Sequence, residues 1–157
     1  MNSLLKFAVV GVLCAASLPA TVQAETISPA QLGILQCAVL AAPPETARPD
    51  ENVLCVFNAA NGSVNMYHGQ AVDENIDIAE IKGGVMRWTV FAAGSPQSPV
   101  TGTYKTADAP ADLTLPSHTK ILLKDVGGVV ILQPEVTPGD DILNFAVGIS
   151  SLTLVGF

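Results

Sequence analysis

Two apolar, β-branched runs, Gln31–Leu40 (Q-L-G-I-L-Q-C-A-V-L) and Asn52–Asn58 (N-V-L-C-V-F-N), carry one cysteine each, Cys37 and Cys55. Between them lies A-A-P-P-E-T-A-R-P-D-E, whose prolines and charges oppose regular structure, so the two runs read as a long-looped β-hairpin. Setting Cys37 opposite Cys55 in antiparallel register also pairs Leu35 with Phe57 and Val39 with Val53. All of these side chains then point to one face, because side chains along a strand repeat every second residue. A bond between the cysteines would staple this hairpin to the core.

Such a bond needs an oxidising compartment, and the N-terminus supplies a route to one. Residues 1–24 read as an export signal: Met1–Lys6 is a short positive start, and Phe7–Leu18 is an apolar run too short to span a bilayer. Val22-Gln23-Ala24 places small or compact residues where a signal peptidase reads, which predicts cleavage after Ala24. Leu13 stands before Cys14 where a lipoprotein signal needs a small residue, so no lipid anchor is expected. The exported chain then keeps an even set of cysteines, Cys37 and Cys55, which predicts a disulfide in the periplasm or outside the cell. Closing a loop of this length is worth about 3 kcal/mol in the chain-entropy model. Two buried free thiols are the plain alternative, and a redox pair is disfavoured because no C-x-x-C occurs.

Residues 25–157 are enough for one domain with a core of its own. Loss of Lys6 with the leader makes the net charge one unit more negative than the −7 of the whole sequence. Lys120 and Lys124 lie close together, but Asp125 adjoins them, so no basic patch survives. Nucleic acid and anionic lipid surfaces are therefore excluded as partners on electrostatic grounds.

Strand signals follow in quick succession. Asn61-Gly62 separates Val53–Asn58 from Ser63–Gln70, and Asn-Gly is a strong hairpin signal. Asp73–Ile81 alternates acid and isoleucine in part and reads as an edge strand or extended loop. Gly84–Ala92 alternates cleanly, with Met86, Trp88, Val90 and Ala92 on one face and Val85, Arg87, Thr89 and Phe91 on the other. A Gly-Ser-Pro loop at 94–99 precedes a strand over Val100–Thr106, and Ala107–Pro116 reads as loop. Thr119–Lys124 and Gly128–Gln133 form a further hairpin, Pro134–Asp141 turns the chain, and Ile142–Val155 is a last strand or strand pair. No mature stretch of ten or more residues shows a capped helical period. The expectation is an all-β fold, an antiparallel up-and-down barrel or sandwich of about eight strands, with no membrane-spanning helix in the mature chain.

The residues also carry a resemblance. Gly33–Cys37 (G-I-L-Q-C), Leu54–Phe57 (L-C-V-F), Tyr67–Gly69 (Y-H-G), Ile76–Ile78 (I-D-I) and Trp88–Val90 (W-T-V) come first. Gly102–Tyr104 (G-T-Y), Ile131–Pro134 (I-L-Q-P), Asn144–Gly148 (N-F-A-V-G) and Leu152–Leu154 (L-T-L) follow. This order resembles a bacterial family of small exported proteins known only as a domain of unknown function, over about Leu32 to Leu154. The family usually shows G-L-D-I-G where this chain has Asn75–Ala79, and a second Y-x-G where it has Tyr104-Lys105-Thr106. The resemblance implies no activity.

No residue set compels chemistry. His68 and His118 are far apart, without H-x-x-x-H or a D-x-D-x-D-G loop. Met66 and His68 share one strand face and form a conceivable pair for a soft ion such as copper. Two strand residues facing core or solvent is the plainer reading, because such sites need further ligands. There is no G-x-S-x-G, and Gly62-Ser63 and Gly94-Ser95 are turn chemistry. Asp73, Glu74, Asp77 and Glu80 supply neighbouring carboxylates, but acids on an exposed strand usually keep a sheet edge soluble. No enzyme, cofactor or metal is therefore predicted.

What remains is binding. Trp88, Tyr67 and Tyr104 are candidates to line the mouth of a small barrel, combining apolar area with polar handles. The plainer reading makes Trp88 the core anchor and the tyrosines its rim. The sequence thus points to a periplasmic or secreted β-domain that binds a small ligand or an envelope component without catalysis. The competing class is a small outer-membrane barrel, suggested by export, many strands and Phe157. Against it, Ser151 and Thr153 share a face with Val155 and Phe157, and most strands are shorter than the ~9–11 residues a span needs.

Overall fold

The structure is a computed structural model and describes residues 29–41, 51–81, 83–92, 100–108, 121–124, 130–135 and 144–157. The predicted leader, the Gly-Ser-Pro loop at 94–99, the loop over 109–116, the turn at 125–127, His118 and most of the turn at 134–141 lie outside these residues. Eight strands are present: β1 (Ala30–Val39), β2 (Val53–Ala59), β3 (Val64–Asp73), β4 (Val85–Ala92), β5 (Gly102–Ala107), β6 (Ile121–Lys124), β7 (Val130–Pro134) and β8 (Ile149–Gly156). They close into a barrel in the order β1-β2-β3-β8-β5-β6-β7-β4, with every pairing antiparallel.

The expected all-β antiparallel fold of about eight strands is present, and of the two expected shapes it is the barrel; only the strand order departs from an up-and-down arrangement. An up-and-down barrel pairs each strand with its sequence neighbours, whereas β4 here lies between β7 and β1, and β8 between β3 and β5. The orders 4-1-2-3 and 8-5-6-7 are each a Greek key: a meander of three strands whose fourth returns beside the first. Local turn signals reveal hairpins, but they cannot reveal where a longer connection lands.

The first hairpin has the register expected from its cysteines. Leu35 faces Phe57, Cys37 faces Cys55 and Val39 faces Val53, and Cys37 and Cys55 form a disulfide. Val53, Cys55 and Phe57 alternate with less buried neighbours, so the apolar set of β2 lies on the interior face. At the β2–β3 turn, Gly62 adopts φ 87°, a left-handed conformation that L side chains resist. Gly69 matters for a different reason. A Cβ placed there would lie 1.8 Å from the Thr153 carbonyl oxygen, so β3 and β8 approach this closely only because the position has no side chain.

Eight strands enclose a space that side chains can fill. Leu35, Val53, Met86, Trp88, Val90, Tyr104, Leu132, Leu152 and Leu154 fill it, together with the disulfide. Among the described residues no charged or amide side chain is buried. The outward residues of β3, β8 and β5 are of another kind, with Gln70 beside Thr153, Thr153 beside Thr103, and Ser151 beside Lys105.

At one end of the barrel the open alternatives resolve. Of the edge strand or loop expected over 73–81, it is the edge strand that is not formed, since β3 stops at Asp73. The Asp73 carboxylate accepts the Asn75 N–H at 2.8 Å, which turns the chain, and Ile78–Glu80 forms a 3-10 turn whose Ile78 enters the core. Of the strand or strand pair expected at the end of the chain, the single strand is present, and Phe145–Gly148 is a second 3-10 turn that precedes it. Ile78 and Ala146 are buried in the core cluster, and the partly buried Ile81 and Phe145 pack against that cluster.

Candidate functional site

Trp88, Tyr67 and Tyr104 are all in the interior. Trp88 pairs across the sheet with Leu35 and Pro134, Tyr104 with Leu152, and Tyr67 with Cys55 and Gly156. All three are buried, so none lines an exposed mouth. The Tyr104 hydroxyl donates to the Val100 carbonyl at 2.6 Å, and burial, with Tyr67 second, pushes its ionisation above the ordinary tyrosine range. The buried Trp88 Nε1 has no hydrogen-bond partner.

Asn144, first residue of the N-x-A-x-G motif, is a clasp. Its Oδ1 accepts the Arg87 and Ala146 N–H groups at 3.0 Å each, and its Nδ2 donates to the Arg87 and Glu135 carbonyls at 3.0 and 2.6 Å. One side chain thus caps a 3-10 turn and ties it to the β4 and β7 ends. Asp73 ends β3 and Glu80 lies in the first 3-10 turn, with Glu74 and Asp77 in the segment between them. Among the described residues no cluster of three or more His, Cys, Asp and Glu side chains is placed to hold a metal ion.

The outer wall of β2, β3 and β8 is where the fold leaves side chains unexplained. Val56 lies beside Met66, Leu54 beside His68, and His68 beside Val155. The Phe157 N–H donates to the Met66 carbonyl at 3.4 Å, which places Phe157 in the next row. These residues adjoin across three strands, and Phe157 (82 %), Val64 (62 %), Met66 (49 %) and Val155 (40 %) stay in contact with water. Isolated exposed apolar residues are ordinary; these occupy neighbouring register positions on three strands.

Inside this patch His68 is held on both sides. Its Nδ1 lies 2.7 Å from Glu51 Oε1, and the Phe157 ring centroid is 4.9 Å from its own at an interplanar angle of 52°. An ionised carboxylate only accepts hydrogen bonds, so Nδ1 carries the proton and faces Glu51. Glu51 is fixed in turn by its neighbour: the Asn52 amide donates to the Ala71 carbonyl at 2.9 Å and accepts the Ala71 N–H at 2.8 Å. Sequence reading paired Met66 with His68 but missed Glu51. That residue sits 17 positions away in a charge-rich connection, and only strand pairing reveals the contact.

The comparison with protein families decides where this chain stands. A family model described as "Protein of unknown function (DUF992)" matches residues 14–155. The chain belongs to the DUF992 family. No curated protein and no solved structure matches it. The stretches that carried the resemblance to a domain of unknown function lie at the barrel's joints and in its core. Cys37, Cys55, Trp88 and Tyr104 are buried, Gly69 is the close approach, and Asn144 is the clasp. His68 is different: it belongs to the Tyr67–Gly69 stretch yet faces outward.

Proposed function

We propose that this DUF992 chain is an exported, non-catalytic interaction module that engages an envelope component through the outer wall of β2, β3 and β8. The observation that carries the reading is the contrast between a filled interior and a contiguous apolar patch outside it. A barrel that takes a small ligand inside needs space among its inward side chains; here Trp88, Tyr104 and Met86 occupy that direction. The disulfide supports export, because such bonds persist in oxidising compartments. The polarity of the wall supports a water-surrounded barrel over an outer-membrane one. Membrane barrels are apolar outside and polar within, whereas this one is apolar within and carries Gln70, Ser151, Thr153 and Lys105 outside.

The test is site-specific photocrosslinking in cells, with the photoreactive residue at Met66, Val155 or, on β7 across the barrel from β3, Gln133. Adducts to a defined envelope component from positions 66 and 155, and none from 133, are the expected result. Osmotic shock without detergent should release the protein with Glu25 as its first residue. Equal labelling from all three positions, or a protein that stays with the membrane until detergent is added, overturns the proposal.

A further inference from the structure

We propose that His68 and Met66 together bind a soft monovalent metal ion, Cu(I), with Glu51 as the residue that positions the imidazole. The inference goes beyond the docking reading and does not depend on it, because it rests on donor atoms rather than on apolar area.

The argument begins with the ring. With Nδ1 facing Glu51 at 2.7 Å, the neutral imidazole donates from Nδ1 and presents its lone pair on Nε2. Glu51 is only 12 % exposed, which keeps the contact from being a loose surface pair. A histidine whose second nitrogen donates to a carboxylate is the arrangement that fixes tautomer and ring orientation in metal sites and makes the ligating nitrogen more basic. The structure thus contains the outer partner of a metal-binding histidine before any ion is considered.

Register supplies the second donor. Met66 and His68 are alternate residues on β3 and share its outward face. Glu51 approaches His68 from the Gly69 side, since the Asn52 N–H next to it bonds the Gly69 carbonyl at 2.9 Å. Met66 lies on the other side of His68, with Phe157, just past the end of β8, across from it. The carboxylate therefore anchors one side of the imidazole while the thioether stands on the other. A methionine in a core fills a gap; this one is half exposed and fills none.

The donor set selects the ion. Thioether sulfur is a soft ligand that favours Cu(I), and imidazole suits copper as well. Zn(II) and the hard divalent ions need three or more nitrogen, thiolate or oxygen ligands, and the described residues gather no such cluster. Closed-shell Cu(I) accepts two donors where most ions need more, and the Phe157 ring packs beside the His68 ring at 4.9 Å.

The experiment uses the mature chain with its disulfide intact, under anaerobic conditions with ascorbate, titrated with Cu(I) held by bicinchoninate. We expect one equivalent to leave the chelator, with a shift of the Met66 ε-methyl NMR signal. Glu51→Gln should weaken binding about 10–100-fold, the usual effect of losing such an outer partner. Met66→Leu and His68→Gln should abolish uptake at the same chelator concentration while Trp88 emission stays native. No uptake by the native chain, an unshifted Met66 methyl, or equal uptake by Met66→Leu overturns the site. Equal uptake of Zn(II) overturns the assignment of a soft ion, and unchanged affinity in Glu51→Gln removes the positioning role.

Discussion

β3 presents two different surfaces, and comparing them separates what holds this protein together from what it offers to others. Its inward residues Tyr67, Gly69 and Ala71 are buried, and each is set by the room available to it. Gly69 is the limiting case, since even a methyl group there would overlap the Thr153 backbone. Its outward residues Met66 and His68 meet no such limit. Met66 is half in water, and His68 is held by Glu51 from outside the barrel rather than by packing. The inner face answers to volume and the outer face to whatever approaches it. An apolar residue inside needs no further reason; an apolar row outside does.

The sharpest way to break this comparison is at Trp88. The indole is fully buried between β1 and β7, so Trp88→Ala should cost about 3–5 kcal/mol through lost burial and a residual cavity. Urea denaturation followed by far-UV circular dichroism measures it, since the variant has no tryptophan to report. Trp88→Phe should recover part of the loss, because the donor it removes has no partner. An unfolding midpoint for Trp88→Ala equal to that of the native chain would show that the interior is not the packed region described here.

The disulfide comes next in size. Cys37 and Cys55 are 18 positions apart, so their bond limits the unfolded chain more than it adds contacts to the folded one. The double variant Cys37→Ala/Cys55→Ala should lose about 2–4 kcal/mol and keep the barrel. Thiol labelling of the denatured, unreduced mature chain should find no reactive cysteine. Two labelled thiols per chain would contradict the pairing and, with it, one support for export.

Much of the inner face was legible in the sequence. Strict alternation in Met86, Trp88, Val90 and Ala92 marked the buried side of β4, and the matched cysteines set the β1–β2 register outright. Both signals are local or involve a pair with distinctive chemistry. The Greek-key order was not legible, because the landing sites of β4 and β8 depend on pairings between strands distant in sequence. The 3-10 turns were hidden for a related reason. Ile78 and Asn144 act through partners elsewhere, the core and the ends of β4 and β7, so their own neighbours gave no helical period. Trp88 is the buried core anchor that its alternating strand predicts, whereas Tyr67 and Tyr104 looked like a rim because aromatic residues with polar handles suit one. The structure puts both tyrosines inside, and the Tyr104 hydroxyl is satisfied there by the Val100 carbonyl.

The smallest expected effect is the most informative about the outer wall. Leu154 and Val155 are consecutive on β8; one points into the barrel and the other out beside His68. Leu154→Thr removes buried apolar volume and introduces a hydroxyl with no partner, so it should destabilise by about 2–5 kcal/mol. Val155→Thr keeps the β-branched shape that a strand favours and places its hydroxyl toward water, so its effect should stay within about 0.5 kcal/mol. Parallel urea titrations of the two variants give the difference directly. If Val155→Thr costs as much as Leu154→Thr, the outer row belongs to a packed interface within the chain and cannot serve as a docking surface. If it is neutral and crosslinking from position 66 still falls, apolar character on this wall contributes to recognition while contributing nothing measurable to the fold.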